Sequence, residues 1–313
     1  MTARDVTRKG VCVEAPGWRQ VRRDPEVFSA AVDRPDLSSY IGVHMSTSYG
    51  SYGFRIDGAE LESKDAVRDY ELSVKLTLDR IQRSDTGSAV LGAIKRAGQP
   101  LLILPYTKEA EKVTGACNAY AAPGDTVKAG AKNQPILSGK KVLTENNLLK
   151  RLLKLPQEPL AGTGEGSDSF IRFSPGMWGF GGACYPGMPG ASPSEILLHE
   201  MLHSYRQMRG DSYALPTMGG RLQYDNLEEF FAIVVTNIFV SDPTSPTPNR
   251  TLRADHWGFQ PLAAAQTTSK GFLAQKGNQN LIGKIVADEA GLALDLKEIK
   301  ATFNPVREYI SPT

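Results

Sequence analysis

The sequence predicts an α+β fold in two lobes, with a small mixed sheet and a helical C-terminal part, and three features predict it. Residues 64–83 and 192–209 carry apolar positions at helical spacing among charged ones. The runs Pro100-Leu101-Leu102-Ile103-Leu104-Pro105-Tyr106 and Ser169-Phe170-Ile171-Arg172-Phe173 are short and apolar enough to be strands. The last third reads as helix near 259–275, 278–290 and 295–302. Composition agrees: 313 residues suffice for one large or two modest domains, and 41% hydrophobic with 22% charged residues is ordinary globular usage.

Taken in order, residues 1–63 mix Pro, Gly, Ser and Tyr and read as an N-terminal extension or small subdomain before a 64–313 domain. Within them Ile41–Val43 and Tyr52–Ile56 are strand candidates, and His44 is read as structural. Val67, Tyr70, Leu72, Val74, Leu76, Leu78 and Ile81 supply the apolar positions of the first helix, and a second helix over 86–97 stops at Gly98. The prolines flanking residues 101–104 mark a buried strand. Residues 107–140 show no clear period and suggest a long excursion or irregular strands, and Leu143–Leu155 is a helix candidate. Gly162–Ser167 reads as a flexible link. Residues 168–174 alternate as a half-exposed strand should, and the Gly-rich loop 176–190 with Met177, Trp178, Phe180 and Tyr185 either borders a cleft or packs as a surface loop.

The chemistry is concentrated in Ile196-Leu197-Leu198-His199-Glu200-Met201-Leu202-His203, an HExxH pattern. Ser192, Pro193 and Glu195 form a capping-box start, and Gly210 follows the basic last turn as a stop, so the pattern falls mid-helix. Histidines four apart on a helix share a face and can reach one ion, while Glu200 can hold and deprotonate a metal-bound water. The expected ion is Zn2+, one per chain, with Glu200 catalytic and His199 and His203 as ligands.

A third ligand is required. Arg206 and Arg209 stand where a third histidine motif would need Gly and His, which excludes that pattern. The segment Asp225–Ile238 reads as a second, buried helix whose bulky face is Leu227, Phe230, Phe231, Val234 and Ile238. Glu229 points away from that face beside Ala232, Ile233 and Thr236, where another helix can approach, so Glu229 is favoured over Glu228 as the metal ligand. Both acids also suit a first helical turn, capped from Asn226 and Asp225 respectively. Cys184 is a third candidate, which would suggest a deformylase-like hydrolase.

A strand, an HExxH helix and a following helix supplying Glu resemble the zincin metallopeptidases with a glutamate third ligand, on His199, Glu200, His203 and Glu229. More loosely, Leu76–Ile81 and Ser84–Ile94 look like the helical lead-in of effector and toxin metallopeptidases exported by Gram-negative bacteria. The resemblance implies a zincin-like domain over 64–313, an endopeptidase acting on a protein or peptide substrate, and a virulence role as an effector or toxin. It also implies that the edge strand pairing with substrate is residues 168–174. Such sites often add an oxyanion donor, for which His256, Tyr213, Tyr224 and Tyr309 are all suitable by type. The alternatives are another zinc hydrolase using Cys184, or a non-catalytic zinc-binding protein.

A formal charge of +2 and a pI near 8.3 give no basic field for nucleic acid. Clusters such as Arg19–Arg23 and Lys140-Lys141 read as solvated faces. The first ten residues are polar without a following apolar core, and no segment is long enough to span a bilayer. The expectation is a chain made in the cytoplasm without a signal peptide, with export by a specialised machine, and an inhibitory partner, left open. Three widely spaced cysteines, Cys12, Cys117 and Cys184, argue against a disulfide and for a reducing compartment.

Overall fold

The computed structural model describes residues 46–138, 141–179, 181–185, 187–213, 224–248, 250–256 and 259–312. The strand candidate Ile41–Val43, His44, Cys12 and the basic cluster 19–23 lie outside the described residues. The first half of the chain contains β1 (Thr47–Tyr49), β2 (Phe54–Ile56), α1 (Lys64–Gln82), α2 (Asp85–Ala97), β3 (Leu101–Leu104), α3 (Lys108–Thr114), β4 (Tyr120–Pro123), α4 (Thr126–Ala129), β5 (Leu137–Ser138), β6 (Lys141–Val142) and α5 (Leu148–Leu152). It continues through β7 (Ser169–Arg172), α6 (Pro193–Arg209), α7 (Leu227–Ser241), α8 (Ser269–Leu273), α9 (Lys276–Asp288), α10 (Ala290–Glu298) and α11 (Pro305–Ile310). The class is α+β, with helices dominating. No helix among the described residues is long and apolar enough to cross a membrane.

The main sheet has five strands in the order β1-β2-β3-β7-β4. Its centre is parallel, with Ile103 opposite Ile171, and its outer pairs β1–β2 and β4–β7 are antiparallel. Strands β1 and β2 come from the stretch read as an N-terminal extension, yet they pair into the same sheet as β3.

Two expectations about this sheet are corrected. Strand β7 is interior, not an edge, because β3 takes one side of it and β4 the other. It is also not half-exposed: Ser169, Phe170, Ile171 and Phe173 are all buried. The edge beside β7 is β4, from the stretch read as a long excursion or irregular strands, and β1 forms the other edge. The link over 162–167 is not flexible either, since its backbone bonds to Gln134, Val127, Gly130, Lys128 and Gln207. Gly166, at φ +80, approaches the end of α6 so closely that a Cβ would lie 2.0 Å from the Met208 carbonyl oxygen.

Helix α1 is capped by Ser63 and α2 by Ser84, with Gly98 closing α2 in the left-handed region at φ 75. The helix expected over 143–155 shrinks to α5, because Leu143 and Glu145 are in extended pairing with Ile136 and Glu158, and the cap at Asn147 starts the helix only at Leu148. The expected start at 259 is likewise lost: Leu252 and Ala254 bond across to Leu262 and Gln260, leaving α8 to begin at Ser269. Helix α6 occupies the centre, packed against β4 and β7 on one side and α7, α2 and α1 on the others. Leu197, Leu198, Met201 and Leu202 of α6 and Phe230, Ile233, Val234 and Ile238 of α7 are fully buried in one core.

Candidate metal centre

The HExxH helix is built as its sequence predicts. The Ser192 side chain accepts from the Glu195 N–H, the Glu195 carboxylate accepts from the Ser192 N–H, Pro193 is in the first turn, and Gly210 terminates at φ 71. With both ends fixed, His199 and His203 project from the same face, their rings edge-on with centroids 4.8 Å apart.

Helix α7 delivers the third group. Asn226 caps it by accepting from the Glu229 N–H at 2.9 Å. The Glu229 side chain then faces α6, with Oε2 3.1 Å from His199 Nε2 and Oε1 3.5 Å from His203 Nε2, while the two Nε2 atoms are 3.1 Å apart. One donor atom from each of the three residues lies within 4.8 Å of the others. A tetrahedral ion with arms of 2.0–2.1 Å needs donors about 3.3 Å apart, so this set fits zinc in both chemistry and spacing. The side chains of His203 and Glu229 retain 15% and 13% exposure against 5% for His199, so the cluster opens to solvent on one side.

Glu228 is turned elsewhere. Arg206, 1% exposed, donates from Nε to both its carboxylate oxygens at 2.8 and 3.0 Å. Arg206 also pairs with the buried Glu289 and donates to the Asp211 carbonyl. Cys184 is removed from the ligand set altogether by a disulfide to Cys117, with Cα atoms 5.2 Å apart. This corrects the expectation of free thiols: 67 residues separate the two cysteines, but β4 and the loop after β7 bring their backbones together.

Glu200 lies beside the cluster, 8% exposed. Burial pushes its carboxyl up to about 7, Glu229 adds to the rise, and His203, His256 and a hydrogen bond from the Ala121 N–H oppose it. Burial pulls His199 down to about 3 despite Glu229. Burial alone would also lower His203, but the Glu229 and Glu200 carboxylates outweigh it and hold the imidazolium up to about 9. Glu229 itself is held well below the carboxylate range, because His256, His203 and His199 outweigh its burial.

Of the four oxyanion-donor candidates, one faces the cluster. His256 donates from Nδ1 to Asp225 at 3.1 Å, its Nε2 lies 3.7 Å from Glu229 Oε2, and its ring stacks over that of His199. The buried Arg253 fixes the backbone there by donating to the Asp255 and His256 carbonyls. Tyr213 is instead directed to Asp288 and Lys284, Tyr224 packs edge-on against Phe230, and Tyr309 lies on α11 against Gly283. The Gly-rich loop contributes Trp178 and Tyr185, which stack on each other; Tyr185 stacks in turn on Phe259, and Phe259 covers Arg253. The sequence signal for His256 was its rarity, one of four histidines, with acids nearby to orient it. Arg206 gave none, since an arginine in a last turn ordinarily faces water, and the Ala121 N–H is a backbone group that no sequence pattern marks.

No curated protein matches the chain. Among solved structures it is similar to the botulinum neurotoxin serotype HA light chain, at 13% identity and a TM-score of 0.33. That alignment covers 93% of this chain and 62% of the light chain, so this chain spans less than two thirds of that protein's length. The family model of Peptidase_M91, described as effector protein, matches residues 58–233, a span that contains the HExxH helix and Glu229. The chain belongs to this effector peptidase family.

Proposed function

We propose that the protein is a zinc-dependent endopeptidase, an effector exported by a bacterial secretion machine to cleave a narrow set of proteins. The observation that carries this reading is the convergence of His199, His203 and Glu229 beside Glu200. His199, His203 and Glu229 would hold the ion. When bound, zinc supplies a Lewis acid and brings water's pKa towards neutrality.

The remaining work falls to side chains of this chain. The Glu200 carboxylate takes the proton of the attacking water and returns it to the leaving nitrogen. Asp225 fixes the His256 ring so that Nε2 faces the cluster, and His256, when it carries both protons, donates to the oxygen that gains charge at the tetrahedral stage. Edge strand β4, in place of residues 168–174, is where an extended substrate would lie along the cleft, next to the Ala121–Glu200 contact. We also assign β1 and β2 to the peptidase domain, which then begins by residue 46 at the latest, because they complete its sheet.

The test is a comparison of new protein N-termini generated in a eukaryotic cell lysate by wild type and Glu200→Gln. Cleavages made by wild type and absent with Glu200→Gln support the reading. Identical patterns from both proteins would remove it.

A further inference from the structure

The stretch after β6 stands away from the core. Residues 136–160 fold back on themselves, with Ile136 bonded to Leu160, Leu143 to Ile136 and Glu145 to Glu158, and the far end of this fold is α5. No residue of α5 is buried. Leu148, Leu149, Leu152, Leu153 and Leu155 are 66%, 64%, 71%, 59% and 52% exposed, and Val142 is 44% exposed. Five leucines within eight positions, each more than half in water, form a contiguous apolar patch of the kind that marks an interaction surface.

The patch has two sides. At helical spacing Leu148, Leu149 and Leu152 fall within an arc of about 100°, Arg151 flanks that arc about 60° beyond Leu148, and Lys150 lies about 100° beyond Leu149. Residues 140–158 contain five basic residues against two acidic ones. Lys150 is held by Glu145 and Glu158, whereas Arg151 donates to the neutral amide of Asn146 and pairs with no acid among the described residues, and Lys154 is exposed at the end of the helix. A cationic flank beside an apolar face is complementary to a surface that offers hydrocarbon and anionic headgroups together.

We propose that residues 142–155 dock the protein onto an anionic lipid bilayer, the leucines entering the headgroup boundary and Arg151 and Lys154 meeting lipid phosphates. This surface is independent of the peptidase reading.

The test is co-sedimentation of the full chain with phosphatidylcholine vesicles with and without phosphatidylserine, at low and high salt, alongside light scattering for oligomeric state. Wild type is expected to partition about tenfold or more in favour of the phosphatidylserine vesicles, less so at high salt. Leu149→Ser with Leu152→Ser, and separately Arg151→Glu with Lys154→Glu, are each expected to lose most of that partitioning while keeping the wild-type melting temperature. Absence of binding to phosphatidylserine vesicles, or equal binding by both variants, would overturn the proposal. So would a wild-type dimer that the leucine variant dissolves, which would give the patch to a second copy.

Discussion

Arg206 Nε donates to both oxygens of Glu228, and this pair decides which of two adjacent acids meets the histidines. Neighbouring residues on α7 point about 100° apart, so anchoring Glu228 on Arg206 aims Glu229 at His199 and His203.

Removing Arg206 therefore should cost both stability and metal. Arg206→Met leaves the buried Glu228 without its cation and Glu289 with only the half-exposed Arg209, a defect expected to destabilise by about 3–5 kcal/mol. Glu229→Gln removes the carboxylate that faces His199 and His203 but leaves Arg206 and its two acids intact, and is expected to keep the fold while losing the metal. Urea unfolding together with metal analysis separates the two. Equal stability of Arg206→Met and wild type would refute the anchoring role.

His256 and Asp225 are expected to act on turnover and not on metal binding. His256→Ala should lower kcat about 100-fold or more, with Asp225→Asn intermediate, and both should retain zinc. Loss of zinc from His256→Ala would instead make it a ligand, and unchanged kcat would remove it from the reaction.

In the metal-free protein the ligands give stability a pH window. His203, raised to about 9, contributes stability that is full below its ordinary 6.5 and is lost as pH climbs through about 9. Glu229, lowered well below 4.5, contributes stability that is full above 4.5 and is lost as pH falls. With chelator present, the melting temperature should be highest between about pH 5 and 6.5 and decline on both sides. Glu229→Gln should flatten the alkaline decline; an unaltered decline would assign it to other groups.

The Cys117–Cys184 disulfide closes a loop of 67 residues, and its loss is expected to cost up to about 4 kcal/mol. A thermal melt with and without reductant checks this. Wild type should lose stability on reduction, and Cys117→Ser with Cys184→Ser should not respond; a wild type insensitive to reductant would mean the bond contributes nothing.

The features legible in the sequence were local ones. The capping box at Ser192, the stop at Gly210 and the i,i+4 histidines are signals carried by neighbouring residues, and the structure has each of them in that form. The first helices and β3 were readable for the same reason. Sheet order was not: β4 becomes the edge because a strand with no apolar alternation pairs on the open side of β7. The Cys117–Cys184 contact depends on that same long-range pairing. The preference for Glu229 came from helix geometry, but its cause, the burial of Arg206 against Glu228 and Glu289, involves three segments far apart in the chain. The exposed leucines of α5 were equally hidden, since apolar residues at helical spacing ordinarily mark a core face.

The central claim is tested most directly by zinc content per chain, measured by mass spectrometry on untagged wild type, Glu200→Gln, His203→Ala and Glu229→Ala. One zinc is expected in wild type and Glu200→Gln, and its loss in His203→Ala and Glu229→Ala. A wild type that takes up no zinc on reconstitution at neutral pH, or a Glu229→Ala protein that still binds it fully, would contradict a metal centre built from His199, His203 and Glu229.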